Sequence, residues 1–264
     1  LYECMLKRVM PYSLKGFLYY QGESDDHLPH LYQKLFTRMI RQWREDWGDE
    51  TLPFVFAQLP MHRYKQDADF KNWCLIREAQ KSVYDTVKHT GMACILDQGV
   101  FNDIHPKAKK TVGERMCAQA LAVAYQKENE ADADGPLFTY AEIRKDGLRL
   151  HFENAADGFV LDDGAEKKAL CEGETVSDIG FEIAGEDGVY APAEAAIEKE
   201  TIFVRNETIS TPVFARYQWT NYGEVRLFGK NGIPVAPFRT SRNDGFVPLN
   251  QKAEIGQKME CATR

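Results

Sequence analysis

Residues 16–25 read GFLYYQGESD, an apolar run that passes directly into a polar turn. The run Leu14–Tyr20 predicts a buried strand, and Gly22 lets the backbone turn tightly after that strand ends. Apolar residues at three- and four-residue steps from Leu28 to Trp47 then predict an amphipathic helix. A buried strand followed by such a helix is typical of a parallel α/β sheet, so this stretch decides the fold class.

The same alternation of elements continues to about residue 127. Leu52–Leu59 and Met92–Leu96 predict two further strands, and an apolar stripe from Trp73 to Val87 predicts a helix between them. A third helix is predicted to begin at Pro106. Strand–helix alternation implies parallel strands with right-handed crossovers, and sites in such sheets gather at the carboxyl ends of the strands.

The pattern changes near Gly135-Pro136, where short alternating runs begin, separated by Asp-Gly and Asn-Gly turn signals. This pattern predicts a small all-β sandwich. We therefore divide the chain into an α/β domain at residues 1–134, a β-sandwich-like module at 135–243 and a polar tail at 244–264.

Composition narrows the classes of partner. The chain has 264 residues and a formal net charge of −7, which argues against nucleic acid as a partner. No run of about 18 apolar residues is present, so no membrane partner is expected. The six cysteines and the histidines show no metal-ligand spacing, and we predict no metal site and no disulfide scaffold. Cysteine usage favours a reducing compartment such as the cytoplasm, but the start, LYEC, resembles the middle of a domain and carries no targeting signal.

His105 is the strongest candidate for acid–base chemistry. Pro106 is favoured in the first turn of a helix, so His105 is predicted to cap the third helix. The positive end of a helix disfavours an imidazolium, so a base there needs a carboxylate nearby. Asp103, Asp97 and Glu23 are candidates for that carboxylate. The alternative is a surface histidine that only caps a helix.

The polar turn offers further groups. The amide of Gln21 is suited to donate to a developing oxyanion, and Gly22 allows the backbone to approach a ligand. Ser24 lacks the trailing glycine of a nucleophile elbow, and a solvated helix-capping turn is the alternative. Residues 61–64, MHRY, follow the second strand, and we interpret them as a solvated loop rather than the wall of a sugar pocket.

Five blocks occur in order along the first half of the chain. They are GFLYYQGES at 16–24, WREDWG at 43–48, LPFVFAQL at 52–59, LIREAQ at 75–80 and DIHPK at 103–107. Together they resemble the sialate O-acetylesterases, carbohydrate esterases of the SGNH-hydrolase superfamily. The resemblance continues more loosely through FEIAG at 181–185 and PFRT at 237–240.

The resemblance implies an α/β fold, a flavodoxin-like three-layer α/β/α SGNH hydrolase, followed by the β-sandwich module. It implies a serine esterase that needs no cofactor and removes acetyl groups from O-acetylated carbohydrates, sialic acid or similar. His105 matches the family's catalytic histidine, and Gln21, Gly22 and Glu23 match a block that lines the site. By this analogy Gln21 assists the oxyanion hole, and Glu23 or Asp103 supports the histidine.

The chain departs from the family at the nucleophile, which lies upstream in a Gly-Gln-Ser-Asn block that this sequence lacks. We therefore expect an amino-terminally truncated, incomplete hydrolase fold that is inactive alone. Besides the carbohydrate substrate, the expected partner of this chain is the missing amino-terminal part of the same protein. An acetylxylan esterase and a noncatalytic carbohydrate-binding protein on the same fold are the alternative functions.

Overall fold

The computed structural model of the protein describes residues 2–10, 12–127 and 130–244. The helices are α1 Lys7–Val9, α2 Pro29–Trp47, α3 Asn72–Thr86, α4 Lys110–Val123 and α5 Glu130–Ala133; a π-helical turn at Tyr2–Leu6 and 3-10 turns at Glu23–Asp25 and Leu96–Gln98 accompany them. The strands are β1 Phe17–Tyr19, β2 Phe54–Gln58, β3 Thr90–Cys94, β4 Leu137–Ile143, β5 Leu148–Glu153, β6 Phe159–Asp162, β7 Lys167–Ala169, β8 Thr175–Val176, β9 Phe181–Ala184, β10 Ala191–Pro192, β11 Glu194–Glu198, β12 Thr201–Arg205, β13 Phe214–Tyr217, β14 Leu227–Gly229 and β15 Phe238–Arg239.

The first three strands form a parallel sheet in the order β1-β2-β3. Phe17 pairs with Phe54, and Phe54 pairs with Thr90, so the strands run in register along the same direction. The three strands predicted from the apolar runs are confirmed, as are the helices α2 and α3 between them. Because the strands are parallel, the loops that follow them all leave the same edge of the sheet.

Helices pack on both faces of this sheet. Phe54 and Phe56 lie in one hydrophobic cluster with residues of α2 and α3. Val55 and Ala57, which alternate with them along β2, pack on the other face against α4. At β1 the side chain of Leu18 is 66% exposed, so this strand leaves an apolar side chain uncovered.

The predicted start of the third helix is wrong. Helix α4 begins at Lys110, and Lys109 is its N-cap residue, so Pro106 and His105 precede the helix. Upstream, the backbone N–H of Asn102 donates to the carbonyl of Arg63, which holds this segment against the loop after β2. A tertiary contact therefore fixes the chain here, and His105 does not lie at a helix terminus.

Beyond residue 136 all described strand pairs are antiparallel. Five strands form a sheet in the order β4-β5-β12-β11-β8, four form β10-β9-β13-β15, and three form β14-β6-β7. Side chains from all three sheets, among them Leu150, Ile183 and Phe159, contribute to one hydrophobic core. The change of periodicity near Gly135-Pro136 thus coincides with a change from parallel to antiparallel pairing.

The antiparallel part is bonded to helix α3. Arg239 donates to both carboxylate oxygens of Glu78, at 2.8 and 3.0 Å. Asp244, the first residue of the predicted tail, is buried and accepts hydrogen bonds from Tyr190 and Arg239. Residues 245–264 lie outside the described residues.

Two other sequence observations concern cysteines and membrane spans. Cys4, Cys74, Cys94, Cys117 and Cys171 are free, and Cys261 lies outside the described residues. None of the helices in the described part of the chain has both the length and the apolar character of a membrane span.

Candidate functional site

The loops that follow β2 and β3 are bonded to each other at the carboxyl edge of the sheet. The N–H of Met61 donates to the carbonyl of Leu96 at 3.1 Å, and the N–H of Asn102 donates to the carbonyl of Arg63 at 2.9 Å. A Cβ atom at Gly99 would overlap the carbonyl of Met61, so only glycine permits this approach. These contacts therefore hold the loops after β2 and β3 in one arrangement at this edge of the sheet.

The turn after β1 is equally constrained. Gly22 has φ 152° and ψ −14°, a conformation that L side chains rarely adopt. The hydroxyl of Tyr32 donates to the carbonyl of Gln21 at 3.0 Å and ties the turn to α2. These contacts set the direction in which Glu23 and Ser24 leave the sheet.

The side chain of Gln21 is held inside this turn. Its Oε1 accepts a hydrogen bond from the hydroxyl of Tyr19 at 2.8 Å, and its Nε2 donates to Asp25 at 2.7 Å. One N–H of the amide is thus committed to a carboxylate. The role of Gln21 in an oxyanion hole stays a prediction that rests on its second N–H.

His105 and the turn after β1 meet at one cavity of about 550 Å³, which we call the rim cavity. Its lining residues are Tyr20, Glu23, Ser24, Ile104, His105 and Lys109. Of the predicted site residues, the structure thus brings Glu23 and His105 to a shared space. Gln21, Gly22 and Asp103 are not among the residues that line it.

Asp103 contacts the backbone of His105. Its Oδ1 accepts the N–H of His105 at 2.9 Å, which closes the turn that presents the histidine. Asp97, the other nearby candidate, forms a two-bond ion pair with Arg115 of α4. Asp97 is therefore committed elsewhere, whereas Glu23 has no hydrogen bond or ion pair to any described residue.

Tyr20 and Lys109 line the rim cavity and were not expected there. Burial raises the pKa of Tyr20 to about 12, and the nearby carboxylate of Glu23 acts in the same direction. The Lys109 ammonium lies 4.7 Å from the centre of the Tyr20 ring. The phenol therefore stays protonated near neutral pH and is available as a donor. The sequence signal that could have identified Tyr20 is its position directly after β1.

A second cavity of about 600 Å³ adjoins the first, and we call it the loop cavity. It shares Glu23, Ser24 and Ile104 with the rim cavity; its other lining residues are Asp26, Asn221 and nine from the segment 62–73. Within that segment His62 is only 3% exposed. The interpretation of residues 61–64 as a solvated loop is therefore wrong: Met61 and His62 are buried, and residues 62–64 line the cavity.

The charges around the loop cavity are mainly acidic. Glu23, Asp26 and Asp67 line it together with the guanidinium of Arg63. Burial raises the pKa of the Asp26 carboxyl. Arg63 forms no ion pair with a described residue; its guanidinium carbon lies 5.8 Å from the centre of the Phe101 ring.

Neither a metal cluster nor a serine–histidine pair is found among the described residues. No group of three or more histidine, cysteine, aspartate or glutamate side chains there is arranged to hold a metal ion. Every serine of the sequence lies in the described ranges, and none is hydrogen-bonded to His105. Ser24 is the one serine that lines the rim cavity with it.

Comparison with known proteins gives one consistent family. A family model described as "Carbohydrate esterase, sialic acid-specific acetylesterase" matches residues 1–124. The sialate O-acetylesterase of Mus musculus is 27% identical over 262 residues, which cover 90% of this chain and 46% of the relative. That of Homo sapiens is 30% identical over 154 residues, covering 52% of this chain and 29% of the relative.

A solved structure has the same fold. The crystal structure of a carbohydrate acetylesterase from Xanthomonas citri aligns with a TM-score of 0.77 at 32% identity. The alignment covers 89% of this chain and 52% of that chain. The mouse and rat alignments cover 46% and 47% of those enzymes, so the chain spans about half the length of these curated relatives.

Proposed function

We propose that the protein, whose residues 1–124 match the family model of sialic acid-specific carbohydrate acetylesterases, hydrolyses acetyl esters on sugar hydroxyls. The observation that carries the proposal is the rim cavity, which His105 shares with Glu23 and Ser24 of the turn after β1. An imidazole and a carboxylate facing one space are the elements of an acid–base site.

We further propose that the α/β part, residues 1–134, is a flavodoxin-like, three-layer SGNH hydrolase domain. The parallel sheet with α2 and α3 on one face and α4 on the other supports this assignment. Residues 135–243 then form a β-sandwich module, which the shared core of the antiparallel sheets supports.

The mechanism assigns each group a step. A serine oxygen attacks the acetyl carbonyl while His105 takes the serine proton, and His105 then gives that proton to the departing sugar oxygen. Water attacks the resulting acetyl-serine with His105 again as base, which releases acetate and restores the serine. The proposal keeps both acids, with Glu23 facing the cavity and Asp103 shaping the turn. Gln21 and Gly22 do not line the rim cavity, and we propose that they contribute to the oxyanion site through the second amide N–H of Gln21 and the turn at Gly22.

The nucleophile is proposed to be a serine that this chain does not contain, so the 264 residues alone release no acetate. Ser24 is the serine to test, because it lines the rim cavity with His105. In a form of the protein that turns over, Ser24→Ala should leave kcat within a few-fold. A loss of several orders of magnitude would instead make Ser24 the nucleophile.

An acetylated neutral glycan such as acetylxylan is a second candidate substrate. The specific observation in its favour is the acidic lining of the loop cavity, where Glu23, Asp26 and Asp67 stand against Arg63 alone. Like charges repel, so such a cavity disfavours the carboxylate of a sialic acid.

The decisive experiment uses a form of the protein that contains the proposed serine, and it measures acetate release from O-acetylated sialic acid and from acetylated xylan. It compares the wild type with His105→Ala and, as control, His30→Ala, whose side chain is exposed on α2. His105→Ala should reduce kcat by about 100-fold or more, the usual contribution of a general base. Turnover within a few-fold of the wild type would remove His105 from the mechanism, and binding without turnover would favour a noncatalytic carbohydrate-binding protein.

A further inference from the structure

We propose that the loop cavity binds the sugar ring that carries the acetyl ester, and that Asn221 is a positioning residue that holds the walls of this cavity. The proposal deepens the proposed function and rests on it, because the ring is placed relative to the rim cavity. It assigns the antiparallel part of the chain a role in forming the site.

The position and size of the loop cavity fit a sugar. It shares the lining residues Glu23, Ser24 and Ile104 with the rim cavity, so the two cavities adjoin and a ligand with its acetyl group near His105 has the loop cavity beside it. Its volume of about 600 Å³ lies within the usual range for small-molecule sites. A sugar ring attached to that acetyl group therefore has room there.

The lining of the loop cavity combines aromatic surface with polar groups. Tyr64, Phe70 and Trp73 line it, and Phe70 is 45% exposed. Aromatic faces of this kind pack against the apolar C–H face of a pyranose, while the polar side chains around them bond its hydroxyls. This is the chemistry of a hydroxyl-rich ring rather than of an acyl chain.

Two buried polar atoms in these walls have no partner among the described residues: Nε2 of His62 and Nε of Arg63. The other ring nitrogen of His62, Nδ1, lies 3.3 Å from the carbonyl of Val100. When Nδ1 carries the proton and donates to that carbonyl, Nε2 is an acceptor. An unsatisfied buried polar group destabilises the fold, and a sugar hydroxyl or a bridging water satisfies it.

Asn221 bonds both ends of the segment that forms most of the cavity. Its carbonyl accepts the N–H of His62 at 2.8 Å. Its side-chain Oδ1 accepts the N–H of Trp73 at 3.1 Å, in the first turn of α3. The residue is 6% exposed and itself lines the cavity.

Asn221 and its neighbour Thr220 also bond the middle of the segment 62–73. The N–H of Asn221 donates to Oδ1 of Asp69 at 3.1 Å, and the hydroxyl of Thr220 donates to Oδ2 of Asp69 at 2.5 Å. The dipeptide 220–221 therefore fixes the segment 62–73 at three points. Because this dipeptide follows β13, the shape of the cavity depends on the antiparallel part of the chain.

The test is a binding measurement on the 264-residue chain. N-acetylneuraminic acid and xylobiose, the deacetylated sugars of the two candidate substrates, are titrated in separate saturation-transfer NMR experiments. At least one should bind the wild type, and Asn221→Ala should weaken that binding by about tenfold, the effect of losing one well-placed hydrogen bond. Asn221→Asp keeps the Oδ1 acceptor for Trp73 and should restore affinity to within about threefold. Asn243→Ala, at an exposed asparagine, is the matched control.

If Asn221→Ala does not fold, Thr220→Val replaces it, since this change removes the hydroxyl that contacts Asp69 and the carbonyl of Tyr222. Failure of the folded wild type to bind either sugar overturns the subsite, and unchanged affinity in Asn221→Ala or Thr220→Val overturns the positioning role. In an active form, Asn221→Ala should raise KM about tenfold and leave kcat within about threefold. Binding to the 264-residue chain, together with no turnover in a form that contains the proposed serine, supports the subsite while rejecting the esterase.

Discussion

The carboxylate of Asp103 accepts the backbone N–H of His105 at 2.9 Å, so this acid shapes the turn that presents the histidine. No contact in the structure joins that carboxylate to the imidazole ring. Glu23, in contrast, shares the rim cavity with His105 and has no bonded partner among the described residues. Substitution of each acid can therefore test whether Asp103 or Glu23 supports the imidazole of His105.

Conservative substitutions should separate the two acids. Asp103→Asn keeps an oxygen that accepts the N–H of His105, so we expect kcat within a few-fold of the wild type. Glu23→Gln removes the charge that faces the rim cavity and should lower kcat by about 100-fold. Acetate release in an active form of the protein measures both. The reverse order of effects would identify Asp103 as the acid that supports the imidazolium.

Gly22→Ala should destabilise the fold. At φ 152° an added Cβ would lie 3.1 Å from the hydroxyl oxygen of Tyr32 and 3.2 Å from Cδ1 of Leu59. We expect a loss of about 2–4 kcal/mol in the free energy of unfolding, from backbone strain together with overpacking.

Gly113→Ala is the matched control, because nothing lies within 4 Å of its added Cβ and the residue is within α4. It should raise the free energy of unfolding by about 0.5–1 kcal/mol. Urea unfolding of both variants provides the measurement. If Gly22→Ala were as stable as the wild type, the turn after β1 would tolerate a side chain.

Asp134 should make stability depend on pH. Burial raises the pKa of its carboxyl to about 6, against the opposing effect of hydrogen bonds from Tyr84 and Gln119. Because the folded pKa exceeds the unfolded value of 3.8, the stabilising contribution of this carboxyl to the free energy of unfolding is fully present below pH 3.8. It is lost as the pH rises through about 6, a change of about 3 kcal/mol for a shift of this size.

The difference between the wild type and Asp134→Asn isolates this dependence from other titrating groups. Their difference in the free energy of unfolding should change between pH 4 and 6 and be constant above about pH 7. Asp157→Asn, at an exposed turn, serves as the control. A pH-independent difference for Asp134→Asn would contradict the raised pKa.

The ion pair of Asp97 with Arg115 should be structural. Arg115 is 9% exposed and also donates to the carbonyl of Cys94 at 3.0 Å. Asp97→Ala leaves this guanidinium largely buried without its counter-charge, which costs about 3–5 kcal/mol. Glu114→Ala, which removes an exposed pair with Lys110 on the same helix, should change stability by less than about 1 kcal/mol. Thermal unfolding distinguishes the two outcomes.

The strands and the first two long helices could be predicted because their apolar residues recur with a definite period. The edge at which the site lies followed from the parallel order of those strands. The start of α4 could not be predicted, because the chain before it makes long-range contacts such as the hydrogen bond from Asn102 to the carbonyl of Arg63. Local propensity at Pro106 contains no information about that contact.

The residues of the site divide in the same way. Glu23 and His105 were identified by motif, and they line one cavity. His62 and Asn221 were missed: a histidine in a polar stretch resembles a solvated loop, and the Asn221 contact partners lie about 150 residues away in sequence. The roles of the predicted catalytic residues stay predictions.

The sequence by itself determined the periodic elements and their parallel order, because these depend on residues close together in the chain. Only the tertiary structure decided that Asp97 is bonded to Arg115, that Asp103 supports a backbone N–H and that Asn221 completes a cavity beside His105. These are long-range or directional contacts, and their geometry depends on how the loops pack at one edge of the sheet.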